Sequence, residues 1–169
     1  MKTEKMIFLV IGGVTVLALF GILFLSQSEQ KGSNTSGITS YSKSQSGKPK
    51  AVVVNLSADL GRMKIADEKS AEFVIENSGS GLLQLFNIST SCDCTFATVT
   101  INNIKSEEFG MHGKSSWVGE LKAGEKATVT AIYKPSIMPV SGPVAREVYV
   151  GTNDPDNPKL TFTISAFVE

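Results

Sequence analysis

Hydrophobic and polar positions fall into three regimes along the 169-residue chain. Residues 6–25 form an unbroken apolar run of twenty residues with no charge in it. Residues 26–50 are mostly Ser, Gly, Thr, Gln and Lys, with little to bury. From Ala51 onward the pattern has a period of two. Ala71, Phe73 and Ile75 alternate with Glu72, Val74 and Glu76; Leu160, Phe162, Ile164, Ala166 and Val168 alternate with Thr161, Thr163, Ser165 and Phe167. Such alternation in Val-, Ile-, Thr- and Phe-rich segments predicts strands with one buried face. Ala127, Val129, Ala131 and Tyr133 repeat it, as do Val144, Val148 and Val150; further strands are expected from Leu82 to Thr90 and from Phe96.

Turn residues separate these runs. Asn77-Ser78-Gly79-Ser80-Gly81 and Lys122-Ala123-Gly124-Glu125 read as turns, and Pro155 and Pro158 make residues 153–158 a loop because proline cannot donate to a ladder. About seven strands follow in residues 51–169, with no helical periodicity. The predicted fold is all-β, an immunoglobulin-like antiparallel β-sandwich, preceded by one N-terminal transmembrane helix. Residues 102–118 break the rhythm and form a long loop, the kind that tends to carry function. A second irregular loop covers residues 135–143.

The run at 6–25 matches the length of helix that a bilayer core of about 30 Å requires. Lys2 and Lys5 precede it as in a signal peptide, but it exceeds a usual signal core and no small-residue cleavage site follows Leu25. It is expected to be an uncleaved anchor. The positive-inside rule places residues 1–5 in the cytoplasm as a short tail and residues 26–169 outside. The expected location is thus the cell membrane, single-pass, with the C-terminal domain extracytoplasmic. Residues 26–50 are expected to be a flexible stalk, a coil spanning on the order of 28 Å.

Charge removes one class of partner. Residues 1–50 carry six lysines against Glu4 and Glu29, while residues 51–169 carry ten basic and fourteen acidic side chains. A mildly acidic domain lacks the basic patch that phosphate neutralisation needs, so nucleic acid is not an expected partner. Catalysis is not expected either. His112 is the only histidine, and no nucleophile motif, phosphate loop or dinucleotide fingerprint accompanies it. Asp154, Asp156 and Asn157 have ligand chemistry for calcium, yet an Asn-Asp-Pro turn accounts for them without an ion.

The candidate chemistry lies in Ser91-Cys92-Asp93-Cys94-Thr95, which holds both cysteines. In an extended strand the two Cα atoms would stand about 6.6 Å apart on one face. That is near the upper limit for a disulfide, so a bridge requires a bend. An oxidising compartment would favour such a bridge, and an easily reduced bridge suits thiol–disulfide exchange. Two thiolates joined by His112, Met111 or Met138 from distant loops would instead form a soft site for copper(I), or for zinc. Two buried thiols that only pack at a strand end are the third possibility. His112 also reads as a solvated loop residue, and Met111 and Met138 as packing. Trp117 is expected to plug the core beneath the long loop.

These landmarks carry a resemblance. Asp59-Leu60-Gly61, then Phe73-Val74-Ile75-Glu76-Asn77-Ser78-Gly79, Leu85, the Cys-Asp-Cys stretch, Ala123-Gly124-Glu125 and Thr152-Asn153-Asp154-Pro155 occur in the order found in the bacterial "domain of unknown function 1573" family. The chain resembles that family over most of residues 56–169. The family is similar to the immunoglobulin-like domains of Hydin and abnormal-spindle proteins, which implies binding or scaffolding and no established enzymatic activity. Members usually have glycine between the cysteines, where this chain has Asp93; aspartate tolerates the positive φ that glycine would permit.

The leading expectation is a membrane-anchored extracytoplasmic binding or scaffolding module with an unidentified protein partner. A copper(I) or zinc site on Cys92, Cys94, His112 and a methionine is the alternative, and thiol–disulfide exchange at Cys92 and Cys94 the third.

Overall fold

A computed structural model describes residues 37–169 apart from Lys114. The apolar run at 6–25 and the first part of the expected stalk lie outside the described residues. Among those described, no helix is long and apolar enough to cross a membrane.

Among the described residues, ten strands form two five-stranded sheets. They are β1 (Ala51–Val53), β2 (Ser57–Met63), β3 (Lys69–Asn77), β4 (Leu83–Thr90), β5 (Thr95–Ile101), β6 (Ile104–Lys105), β7 (Gly119–Leu121), β8 (Lys126–Tyr133), β9 (Gly142–Thr152) and β10 (Lys159–Val168). One sheet has the order β1-β3-β8-β5-β6 and the other β2-β10-β9-β4-β7. Seven strands have seven residues or more, against about seven expected, β2 being the long strand that no alternating run marks; the other three are two or three residues long.

The alternation buries what it should. Leu160, Phe162, Ile164, Ala166 and Val168 of β10 are all buried, as are Phe73 and Ile75 of β3 and Ala127, Val129, Ala131 and Tyr133 of β8. Phe73 and Phe162 stack across the gap between the sheets with centroids 4.8 Å apart, joining the two layers at the centre.

The antiparallel expectation needs one correction. β2 pairs with β10 in parallel, Ser57 opposite Thr163 and Ala58 opposite Ile164. The reason is a switch of sheets. β1 pairs with β3 in one layer, and the chain then crosses at residues 54–56 so that β2 joins the other. The Thr163 amide donates to the Leu56 carbonyl at 2.8 Å and fixes the crossing. No proline or glycine marks it in the sequence.

The long loop is also shorter than expected. Asn102 and Asn103 both take positive φ, 50° and 65°, the requirement of a tight type I′ hairpin. They turn β5 back into β6, with Ile101 opposite Ile104. Phe109 then exchanges both backbone hydrogen bonds with Ala97 at 2.8 and 2.9 Å and buries its ring, 5.5 Å from that of Trp117. Trp117 packs half-buried against the core beside it.

Residues 37–50, expected as part of a slack stalk, lie against the domain. Asn77 is the reason. Fully buried, it donates from Nδ2 to the Gly81 and Leu121 carbonyls and accepts at Oδ1 from the Lys50 and Gly79 amides. A Cβ on Gly79 would come within 2.5 Å of the Lys48 carbonyl and Lys50 amide; on Gly81 it would meet the Gly47 carbonyl at 2.5 Å. These glycines therefore let two backbones touch, beyond any role in turning the chain. Further up, the Thr39 amide donates to Gln84 Oε1 at 2.7 Å, and Asn153 Nδ2 donates to the Thr39 carbonyl at 3.2 Å. The chain therefore enters the sandwich at the end where β4 begins.

The same end holds a buried carboxylate. Burial of Asp154 favours its protonated form. The hydrogen bonds donated by the Asn157 side chain and by the amides of Asp156, Ala51 and Asn157 outweigh burial and hold its pKa below the ordinary value. A carboxylate lowered on folding adds stability that is fully present above its unfolded pKa and is lost as pH falls through the folded one. Asp154→Asn is expected to be less stable than wild type at neutral pH, with the gap narrowing below the ordinary carboxylate range; urea unfolding at stepped pH measures it, and a constant gap would refute the assignment. Gly79→Ala is expected to destabilise by about 1–3 kcal/mol and to speed proteolysis within residues 37–50. An unchanged unfolding midpoint would show that the segment is not held there.

Candidate functional site

β4 and β5 lie in different sheets, and residues 91–94 bridge them at the end opposite the chain's entry. The Thr95 amide donates to the Cys92 carbonyl at 3.0 Å, closing a β-turn with Asp93 and Cys94 at its centre. Thr90 Oγ1 lies 3.1 Å from the Cys92 carbonyl oxygen and 2.8 Å from that of Thr95, clamping the turn from beneath. Both layers hold it. The Ser91 amide donates to the Glu147 carbonyl on β9 and the Glu147 amide to Ser91 Oγ, each at 2.9 Å, while the Lys134 amide after β8 donates to the Cys94 carbonyl at 2.9 Å.

Within this turn Cys92 and Cys94 form a disulfide, their Cα atoms 5.2 Å apart against the 6.6 Å or so of an extended strand. The bend that a bridge requires is present. Asp93 is not among the residues with positive φ, so the turn makes no demand for glycine between the cysteines. The Cys94 amide donates to Cys92 Sγ at 3.1 Å. The two sulfurs differ in exposure: Cys94 is fully buried and Cys92 half-buried.

One side chain that the sequence reading passed over completes the site. On β9, Val144, Arg146, Val148 and Val150 share the core-facing side. At position 146 the alternation therefore turns a cation inward. Arg146 Nε donates to Cys94 Sγ at 3.3 Å, and its guanidinium carbon lies 5.7 Å from the centroid of the buried Tyr133 ring. Nη1 donates to the Ala145 carbonyl at 2.8 Å. Arg146 makes no salt bridge among the described residues. The neighbouring Glu147 accepts a hydrogen bond from Tyr149 at 2.5 Å, which, followed by burial and the carboxylate's charge, raises the Tyr149 pKa. Tyr133 Oη is buried with no hydrogen-bond partner among the described residues.

The other sequence candidates divide. Met138, 49 % exposed, places its sulfur 3.7 Å from Cys92 Sγ. His112 comes to the same rim but faces Asp93, with Nε2 3.6 Å from Oδ2. Met111 is exposed. Among the described residues no group of three or more His, Cys, Asp or Glu side chains is placed to hold a metal ion. A bonded pair of sulfurs offers no thiolate, so a copper(I) or zinc site at Cys92 and Cys94 requires the reduced chain.

Residues 52–111 match the family described as "Protein of unknown function (DUF1573)", and the resemblance read from the landmarks is shown over that span. No curated protein matches the sequence. A protein of unknown function from Porphyromonas gingivalis W83 superposes with a TM-score of 0.52 at 18% identity, over 73% of this chain and 50% of that one. The chain thus spans half the length of that protein, and the likeness shows the fold. The ASH/PapD-like domain 7 of human CEP192 aligns at 16% identity and a TM-score of 0.48, over 81% of this chain and 96% of that one.

Since Asp93 needs no special backbone conformation, Asp93→Gly is expected to keep the disulfide and to change stability by no more than about 1 kcal/mol. Thr90→Val removes the one hydroxyl proton that the Cys92 and Thr95 carbonyls share and is expected to cost about 1–3 kcal/mol. Urea unfolding of the two oxidised variants checks the order; a larger loss for Asp93→Gly would reverse it.

Proposed function

We propose that this chain, matched to the DUF1573 family over residues 52–111, is a membrane-tethered extracytoplasmic module that binds a protein partner through its disulfide-bearing end. The observation that carries the reading is the placement of the two ends. The described chain enters beside Gln84 and Asn153, whereas the Cys92–Cys94 turn follows β4 at its far end, about seven strand steps of 3.3 Å away. In this reading residues 6–25 are the anchor, the tether continues into the domain at its entry end, and the disulfide end is the one left for a partner. At that free end the exposed Met138 side chain lies against the disulfide, its sulfur 3.7 Å from Cys92 Sγ, and a docked partner would cover both. A disulfide in turn suits an oxidising space outside the cytoplasm.

Site-specific photocrosslinking in cells making the full chain tests this. A crosslinker at Met138 is expected to capture a partner, while one at the exposed Ile104, at the entry end, is not. Equal capture at the two positions, or protection of the domain from protease added outside the cytoplasmic membrane, would contradict the reading.

A second reading rests on the Met138 contact. In the reduced chain Cys92, Cys94 and Met138 would supply two thiolates and a thioether, a donor set that prefers copper(I). Metal analysis of the reduced full chain is then expected to find about one equivalent of copper, lost in Cys92→Ser/Cys94→Ser. Retention of copper by the double variant would dismiss it.

A further inference from the structure

The disulfide sits in unequal surroundings. Cys94 Sγ is buried, accepts from Arg146 Nε at 3.3 Å and lies 3.9 Å from Thr95 Oγ1. Cys92 Sγ is the reachable sulfur, flanked by exposed Asp93 and by the Met138 thioether. In thiol–disulfide exchange one sulfur is attacked and the other departs as a thiolate, and departure is faster when that thiolate is stabilised. A guanidinium at hydrogen-bond distance does this through a charge-assisted bond, roughly twice as strong as a neutral one. The polar side chains around the site leave Arg146 to that task. Lys134 is paired with Glu68 at 3.3 Å, His112 faces Asp93, and Glu147 is held by Tyr149.

We infer that the Cys92–Cys94 bond is exchange-active and directional: a partner's thiolate attacks Cys92, and Cys94 leaves as a thiolate held by Arg146. The first step forms a bond between the partner's sulfur and Cys92 Sγ and breaks the Cys92–Cys94 bond, whose electron pair goes to Cys94. A second thiolate of the same partner then attacks the partner's own sulfur in the mixed disulfide and releases Cys92. The partner dithiol loses two electrons and two protons and becomes a disulfide; Cys92 and Cys94 gain them and become a dithiol. The substrate class is therefore an accessible protein dithiol, and the reverse sequence reduces a protein disulfide. The inference shares its location with the proposed docking end but does not depend on a docked partner, because a small dithiol performs the same chemistry.

The test uses the full chain in detergent, with dithiothreitol as the probe and alkylation followed by mass spectrometry as the readout. Wild type is expected to be reduced about threefold or more faster than Arg146→Gln, with Arg146→Lys recovering part of the rate by restoring the charge. In Cys94→Ser the remaining Cys92 is expected to form a mixed disulfide with oxidised glutathione at least about tenfold faster than Cys94 does in Cys92→Ser, since only Cys92 is accessible. A bond that merely staples the turn predicts equal reduction of wild type and Arg146→Gln. That result, or equal reactivity of the two single cysteines, overturns the inference. If Arg146→Gln does not fold, the two single-cysteine variants decide it. Photocrosslinking from Met138 can fail while this chemistry holds, and the reverse, so the two proposals fall separately.

Discussion

Strand alternation leaves no choice over which residues face inward, and this constraint organises the whole domain. Along β10 it delivers Leu160, Phe162, Ile164, Ala166 and Val168 to the interface between the sheets, and along β9 it delivers Val148 and Val150. The same rule, continued towards the rim, delivers Arg146. At the centre of the sandwich an inward cation would be expensive. At the end it is half-buried, with its Nη1 reaching a carbonyl at the surface and its Nε reaching a sulfur inside. The turn from β4 to β5 brings Cys94 to meet it. The site is thus what the interlayer space becomes at its open end, where the apolar core gives way to one cation, one aromatic ring and a pair of sulfurs.

The opposite end is closed differently, by hydrogen bonds to the backbone. Asn77 satisfies four groups from residues 50, 79, 81 and 121, and Asp154 gathers donors from Ala51, Asp156 and Asn157. Lys48 adds an ion pair to Asp156 at 2.6 Å, exposed and therefore worth little by itself. Together these groups fasten residues 37–50 to the sandwich. One end is consequently fastened by buried polar groups and receives the chain; the other carries the disulfide, with Arg146 and Met138 beside it. This division of labour underlies both proposals.

Much of the fold is legible in the sequence because burial of one face leaves a period-two signature. β3, β8, β9 and β10 show it, and the loop at residues 153–158 and the sulfur-bearing turn interrupt it, whereas β2 buries only Met63 and shows none. The parallel pairing of β2 with β10 leaves no such trace, since residues 54–56 cross between sheets without glycine or proline. Residues 37–50 read as a stalk because they bury backbone against Gly79 and Gly81 instead of apolar side chains, and composition does not register backbone contacts. The Asn102-Asn103 pair did carry a hairpin signal, the tolerance of asparagine for positive φ. Arg146 was legible too: in the series Val144, Arg146, Val148, Val150 it is a charge at a core-facing position. What no single sequence shows is that this charge meets Cys94, because the contact joins residues 52 positions apart.

The central claim is that Arg146 favours the reduced state of the pair by holding the Cys94 thiolate. Its most direct test is an equilibrium one, the reduction potential of the full chain against glutathione, for wild type and for Arg146→Met. The account predicts a lower potential for the variant, by about 30 mV for each tenfold loss in the redox equilibrium constant. A potential that is unchanged or higher would contradict it.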